Sequence, residues 1–199
     1  MNPLIVCVWI CAAGCLGTWL LSIATREQSW VDRVWSLLPP AYLWVFAASA
    51  GLGDARLNTM AVLVTLWGTR LTANLARKGG YAPGGEDYRW AILRARMTPR
   101  QAWLFNVFFV TIYQNLLLLA ISLPALTARL HRETAFGVLD VAAAGLFLVL
   151  LAGETAADQQ QWDFHRSRPR GQGTGTDSAR KAAPGFVRTG LFRFSRHPN

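Results

Sequence analysis

Residues 3 to 24 are mostly apolar and contain no charged side chain. About 20 such residues in a row, coiled as a helix, match the thickness of a bilayer's hydrocarbon core. Inside that core the backbone has no water to bond to, so the run must satisfy its own N–H and C=O groups as a helix. No basic residue precedes the run, which is also longer than the apolar centre of a cleaved leader, so a retained transmembrane helix is expected. Four further apolar stretches follow at 36–53, 57–76, 102–126 and 135–165. The expected fold is all-α, a polytopic transmembrane helix bundle of about five spans. No repeat or internal boundary interrupts it, so residues 1–199 are expected to form a single integral membrane domain.

The formal net charge of +9 suits nucleic acid at first sight. The basic residues, however, alternate with membrane-length apolar segments and form no nucleic-acid-binding motif, so no nucleic acid partner is expected. With 52% hydrophobic and 16% charged residues, the chain has too little polar surface for a water-soluble domain. Where the charges fall instead predicts orientation. Sixteen of the twenty Lys and Arg lie in 26–33, in 77–100 and after residue 165, whereas Arg56, Arg129 and Arg132 lie on the other side and Arg70 inside a span. Basic loops stay in the cytoplasm, so the N-terminus is expected outside and the 77–101 connector and the tail inside. Cys7, Cys11 and Cys15 share one face of the first span with no His or acid near them in sequence, and read as small packing residues.

Polar residues at membrane depth single out the candidate site. Between the first two spans, Arg26-Glu27-Gln28-Ser29-Trp30-Val31-Asp32-Arg33-Val34-Trp35 mixes charges with tryptophans suited to the headgroup level. Asp32 there has two open readings, an ion pair with a nearby arginine or a ligand role. Pro39-Pro40 belong near a helix start or at a kink. On the third span Arg70, Asn74 and Arg77 recur at helical spacing, and Arg70 either snorkels or faces a polar cavity. The connector that follows holds Gly79-Gly80, Gly84-Gly85 and the run Glu86-Asp87-Tyr88-Arg89-Trp90, with a short interfacial helix expected over 91–97. Its glycines lack the spacing of a P-loop or Rossmann turn. Asn106, Tyr113, Gln114 and Asn115 in the fourth span need partners on neighbouring helices. On the fifth, Glu154, Asp158, Gln161 and His165 form one polar stripe, with Asp140 within about 40° of it. Glu154 lies among Leu150, Leu151, Ala152 and Gly153, so it must pair or meet water, and Arg70 is its candidate partner.

The tail ends in Gly190-Leu191-Phe192-Arg193-Phe194-Ser195-Arg196-His197-Pro198-Asn199, which sets cations and hydrogen-bonding groups among apolar residues, a composition suited to an anionic ligand. This string resembles the signature of DUF1295, a membrane family of unnamed function similar to the C-terminal domain of steroid 5-alpha-reductases. Two further stretches carry the same resemblance: Gly-Glu-Asp-Tyr-Arg-Trp at 85–90 and the Glu-x-x-Ala-Asp-x-Gln-like run from Glu154 to Arg166. Ser29-Trp30-x-Asp32-x-x-Trp35 also resembles a family pattern. The resemblance implies NADPH as cofactor and an oxidoreductase that reduces a carbon–carbon double bond in a lipid or steroid-like substrate, amid membrane lipids. It assigns Asp158, Arg193, Ser195, Arg196, His197 and Asn199 to the cofactor, with Arg70 and Arg166 beside them. The family's pattern continues into Tyr-x-Gly-Glu with further spans and a catalytic Glu, whereas this chain stops at Asn199, so a C-terminally incomplete and inactive form is expected. Membrane methyltransferases of the isoprenylcysteine carboxyl type share an Arg-His-Pro-x-Tyr ending that holds S-adenosylmethionine, and a non-enzymatic membrane module is the third reading.

Overall fold

The computed structural model describes residues 1–167, 187–195 and 198, with Tyr88 through its backbone alone. The described residues are helical and contain no strand. Three helical stretches are long and apolar enough to cross a membrane: Pro3–Thr25, Pro99–Leu130 and Val138–Ser167. Helices also form where the second and third spans were expected, as α3 (Leu38–Ser49) and α4 (Ala55–Arg77). At 12 residues α3 is shorter than a membrane crossing, while α4, with 23 residues, is long enough but carries Arg56, Arg70 and Arg77. The fold is thus a membrane helix bundle. Contacts divide it into two compact units, Met1–Ala144 and Gly145–Asn199.

In the first unit, α1 (Pro3–Thr25) begins on Pro3 with Asn2 capping the Leu4 N–H at 3.0 Å, and ends on Arg26 in a left-handed conformation, φ 59°. The short α2 (Trp30–Val34) follows, and α3 starts with Pro39 and Pro40 in its first turn, where a missing N–H costs no helical bond. Asp54 caps α4 through the Leu57 N–H at 2.9 Å. Helices α3 and α4 pack along one another, and α1 and the later α7 (Gln114–Ser122) flank α3. The core between them holds Cys7, Cys11, Tyr42, Phe46, Leu57 and Leu118. Cys7 and Cys11 are buried as packing residues, their thiols bonding the carbonyls of Tyr42 and Asn115 at 3.9 and 3.5 Å.

Where a short helix was expected over 91–97, α5 spans Tyr88–Ala95, and the next helical run comprises α6 (Pro99–Leu104), a π-helix (Phe105–Tyr113), α7 (Gln114–Ser122) and α8 (Pro124–Leu130). Within it Phe105, Phe109 and Tyr113 stack in a ladder with centroids 5.0 and 5.4 Å apart. The buried Asn106 and Asn115 find partners on α1, Ser22 at 2.8 Å and Thr18 at 3.4 Å, as polar groups at membrane depth must. Trp9, Phe108 and Leu139 face outward and are exposed, as lipid-facing side chains are. Asp140, at the start of α9 (Val138–Ser167), is clamped by Arg56 through two bonds of 2.6 and 2.8 Å. Arg56 also bonds the Thr134 and Ala135 carbonyls, and the Gly137 N–H caps the same carboxylate at 2.8 Å.

Among the described residues of the second unit, the remainder of α9 carries a short turn, the 3-10 helix Gly190–Arg193. The Leu191 N–H donates to Gln160 Oε1 at 2.9 Å, which fixes this turn on α9. Gly190 has φ +62°, a backbone angle that calls for glycine, and a Cβ there would displace the flexible end of the Gln160 side chain.

Candidate functional site

The first unit contains a cavity of about 630 Å3 whose wall is built by residues 29–35 on one side and 71–89 on the other. Two stretches far apart in sequence, the Ser-Trp-x-Asp-x-x-Trp segment and the Gly-Glu-Asp-Tyr-Arg-Trp run, therefore share one site. A network of charge-assisted bonds explains why they meet. Glu27 accepts from Arg33 Nη2 at 2.7 Å and from the Gly84 N–H at 2.9 Å, which ties the segment after α1 to the connector. These donors hold the Glu27 carboxyl below its ordinary range, the Arg33 bond having the largest effect. Glu86 answers from the other side, accepting from the Gln28 N–H at 2.5 Å and pairing with Arg94, which also bonds the Arg26 carbonyl at 3.0 Å.

Arg33 is buried, its Nε donating to the Gly80 carbonyl at 2.8 Å and its guanidinium lying 4.2 Å from the Trp30 ring centroid. This bears on the ion-pair reading of Asp32 among the described residues. The neighbouring arginine is taken by Glu27, and Asp32 instead accepts the Trp90 indole N–H on Oδ2 at 3.0 Å. Burial raises the Asp32 pKa above the usual carboxylate range; the Trp90 bond opposes the rise, and the nearby Asp87 adds to it. Asp87 itself caps α5 at the Arg89 N–H, 2.9 Å away, and pairs with the Arg89 side chain at 2.8 Å, which holds its carboxyl low. Ser29 also lines the cavity, and its hydroxyl oxygen is buried without a hydrogen-bond partner among the described residues. The apolar part of the wall is Trp35, Leu71 and Leu75, with the Trp35 ring held by its N–H on Gln114 Oε1 at 2.9 Å.

The residues assigned from the sequence fall on both units. Arg70 is half-buried on α4 in the first, one turn before the buried Asn74, which accepts from Arg77 Nε at 2.9 Å. Asp158, buried, and Arg166, exposed, lie on α9 in the second, where Arg193 closes the 3-10 turn pinned to Gln160 and Ser195 follows it. The structure thus joins the beginning of the terminal motif to the Glu154–Arg166 stretch. Arg196, His197 and Asn199 lie outside the described residues. Among the described residues no group of His, Cys, Asp and Glu could hold a metal ion. Sequence reasoning did not identify Trp90 as the partner of Asp32, 58 residues away, nor Glu27 and Glu86 as the ties between the two segments. Their only advance sign is that each of the two loops carries both acids and arginines.

Residues 18–199 match the family described as "Protein of unknown function (DUF1295)". An uncharacterized protein of Schizosaccharomyces pombe is 40% identical over 191 residues, covering 91% of this chain. The chain spans 56% of that relative's length, a little over half. No solved structure matches.

Proposed function

The chain belongs to the DUF1295 family, and from that premise we propose a membrane-embedded, NADPH-dependent reductase of a carbon–carbon double bond in a lipid or steroid-like substrate. The observation that carries the reading is the cavity where the 29–35 and 71–89 segments meet. Its volume of about 630 Å3 falls within the range of small-molecule sites.

The chemistry of the available donors suits such a cofactor. Arg166 and Arg193 offer exposed guanidinium groups to phosphates, with the Ser195 hydroxyl close in sequence to Arg193. Arg70, Asp158, Arg196, His197 and Asn199 complete the set assigned to it. NADPH, when bound, supplies the hydride. The protein's part is to bind and orient: Gln160 fixes the turn that carries Arg193, and the Glu27 and Glu86 ties hold the two cavity walls together. Trp35, Leu71 and Leu75 exclude water from one side. Three helices long and apolar enough to cross a membrane suit an enzyme whose substrate is apolar.

The test is equilibrium binding of NADPH and of S-adenosylmethionine to the full-length protein in detergent. NADPH should bind, and more weakly as salt rises, because its phosphates meet arginines. Arg193→Gln should lose about 1.5–3 kcal/mol, the range for a hydrogen bond to a charged group. Saturable binding of S-adenosylmethionine with none of NADPH would replace the reductase by a methyltransferase, and binding of neither would favour a non-enzymatic module.

A further inference from the structure

The charges on the wall of the first unit's cavity balance in number, but not all of them are matched to a partner. The wall carries the acids Asp32, Glu86 and Asp87 and the cations Arg33, Lys78 and Arg89. Most are engaged: Asp87 pairs with Arg89, Glu86 with Arg94, and Arg33 with Glu27. Asp32 and Lys78 remain, each without an ion pair among the described residues. Asp32 lies on α2 in one wall and Lys78 at the end of α4 in the other, so the cavity holds one open negative and one open positive charge on separate walls.

Each open charge comes with an open hydrogen-bonding atom. Asp32 accepts the Trp90 indole N–H on Oδ2, and its Oδ1 has no donor among the described residues. On α4, Leu71, Asn74, Leu75 and Lys78 share one face at helical spacing. Asn74 is only 9% exposed, and its Oδ1 is taken by Arg77 Nε at 2.9 Å, which leaves its Nδ2 to donate beside the Lys78 ammonium. Both open atoms stay accessible, unlike the sealed Ser29 hydroxyl. A ligand that was only a cation would leave Lys78 and Asn74 unmatched, and one that was only an anion would leave Asp32 unmatched. A quaternary ammonium has no N–H for Asp32 Oδ1, whereas a primary ammonium has, and a phosphate on the same head has oxygens for both donors of α4.

We propose that this cavity takes the zwitterionic head of a lipid, a primary ammonium joined to a phosphate, with Asp32 accepting from the ammonium and Asn74 and Lys78 donating to the phosphate. Trp35, Leu71 and Leu75 favour a lipid over a free zwitterion, because they offer its first tail carbons an apolar surface. The Asp32 carboxyl, raised by burial, would gain from the ammonium the close counter-ion that its own wall withholds. The assignment goes beyond the reductase reading and does not rest on it, since it needs no cofactor and every residue it names belongs to the first unit.

The test titrates the full-length protein, in a non-ionic detergent and without NADPH, with short-chain phosphatidylethanolamine and phosphatidylcholine, followed by calorimetry. Wild-type protein should bind the ethanolamine lipid saturably and about tenfold more tightly than the choline lipid, because only a primary ammonium can donate to Asp32. Asp32→Asn, shown to be folded by its melting temperature, should bind the ethanolamine lipid no better than the choline lipid. Lys78→Met should weaken both lipids alike, since both keep the phosphate. Free O-phosphoethanolamine should bind more weakly than the ethanolamine lipid, and equal affinity would overturn the lipid as the source of the head. Equal binding of the two lipids by wild type, saturable binding of neither, a preference that survives Asp32→Asn, or wild-type affinities in Lys78→Met would overturn the assignment.

Discussion

Gly68 controls how closely α4 approaches the chain between α2 and α3. It is buried, and a Cβ there would collide with the Ser36 carbonyl oxygen and come within 3.0 Å of Pro40 Cγ. The same approach lets Ser36 Oγ and Thr72 Oγ1 bond at 2.7 Å, and the next turn of α4 supplies Leu71, Asn74 and Leu75 to the cavity. Gly68→Ala gains about 1 kcal/mol of helix propensity. Against this, forcing a methyl group onto a backbone carbonyl costs about 1–3 kcal/mol, and losing the Ser36–Thr72 bond costs about 1 kcal/mol. The expected net is destabilisation by about 1–3 kcal/mol. Gly17 on α1 is the control, since a Cβ there meets nothing within 4 Å, and Gly17→Ala should keep the propensity gain of up to about 1 kcal/mol. Equilibrium unfolding in mixed micelles, followed by far-ultraviolet circular dichroism, measures both. Gly68→Ala at or above wild-type stability, or Gly17→Ala falling as far as Gly68→Ala, would refute the reasoning.

The remaining predictions concern charge. Burial raises the Asp32 pKa, so the native state binds its proton more readily than the unfolded chain, and stability falls as pH rises from the ordinary carboxylate range through the raised value. With Asp87, Arg89 and Arg33 as its charged neighbours, Asp32→Asn should raise the melting temperature at neutral pH, and the gain should fade on acidification; a gain constant with pH would count against this account. Glu27 has the opposite sign: Arg33 holds its pKa low, so its contribution is present above the ordinary carboxylate range and lost as pH falls through the depressed value. Glu27→Gln should therefore lower the melting temperature at neutral pH and converge with wild type in acid. Arg56→Leu should lower the melting temperature more than Arg56→Lys, which keeps the charge but not the two-pronged grip on Asp140, and equal losses would show that the retained charge contributes nothing there. Reporter fusions should place the N-terminus outside and the 77–101 connector in the cytoplasm, and a connector found outside would leave NADPH no route to the proposed site.

Much of this protein could be read from one-dimensional patterns, because a bilayer imposes them. The charge-free run at 3–24 appears as α1, and the apolar stretch at 135–165 as α9, since length and hydropathy alone decide what can sit in hydrocarbon. Pro39 and Pro40 marked a helix start because proline lacks an N–H, wherever the neighbours lie. The Cys7, Cys11 and Cys15 face read as packing because small residues at helical spacing admit a neighbouring helix, and Cys7 and Cys11 are indeed buried. The π-helical register of Phe105–Tyr113 had no such signal, because it arises where a helix adjusts to its neighbours rather than from its own residues.

For the site, the sequence determined which residues were worth watching but not how they pair. Asp32 beside Arg33 suggested an ion pair, and nothing local could show that Glu27 and the Gly80 carbonyl would claim the arginine or that an indole 58 residues away would claim the acid. Partner choice among several acids and arginines depends on distances set by how α1, α2, α4 and the connector pack, and a hydrogen bond loses its strength within an ångström. The sequence by itself determined the membrane helices and the three polar stretches between or beyond them, through hydropathy, charge and glycine content. Only the tertiary structure decided that two of those stretches enclose one cavity and that, among the described residues, Asp32 lines it without an ion pair and the buried Ser29 hydroxyl has no hydrogen-bond partner.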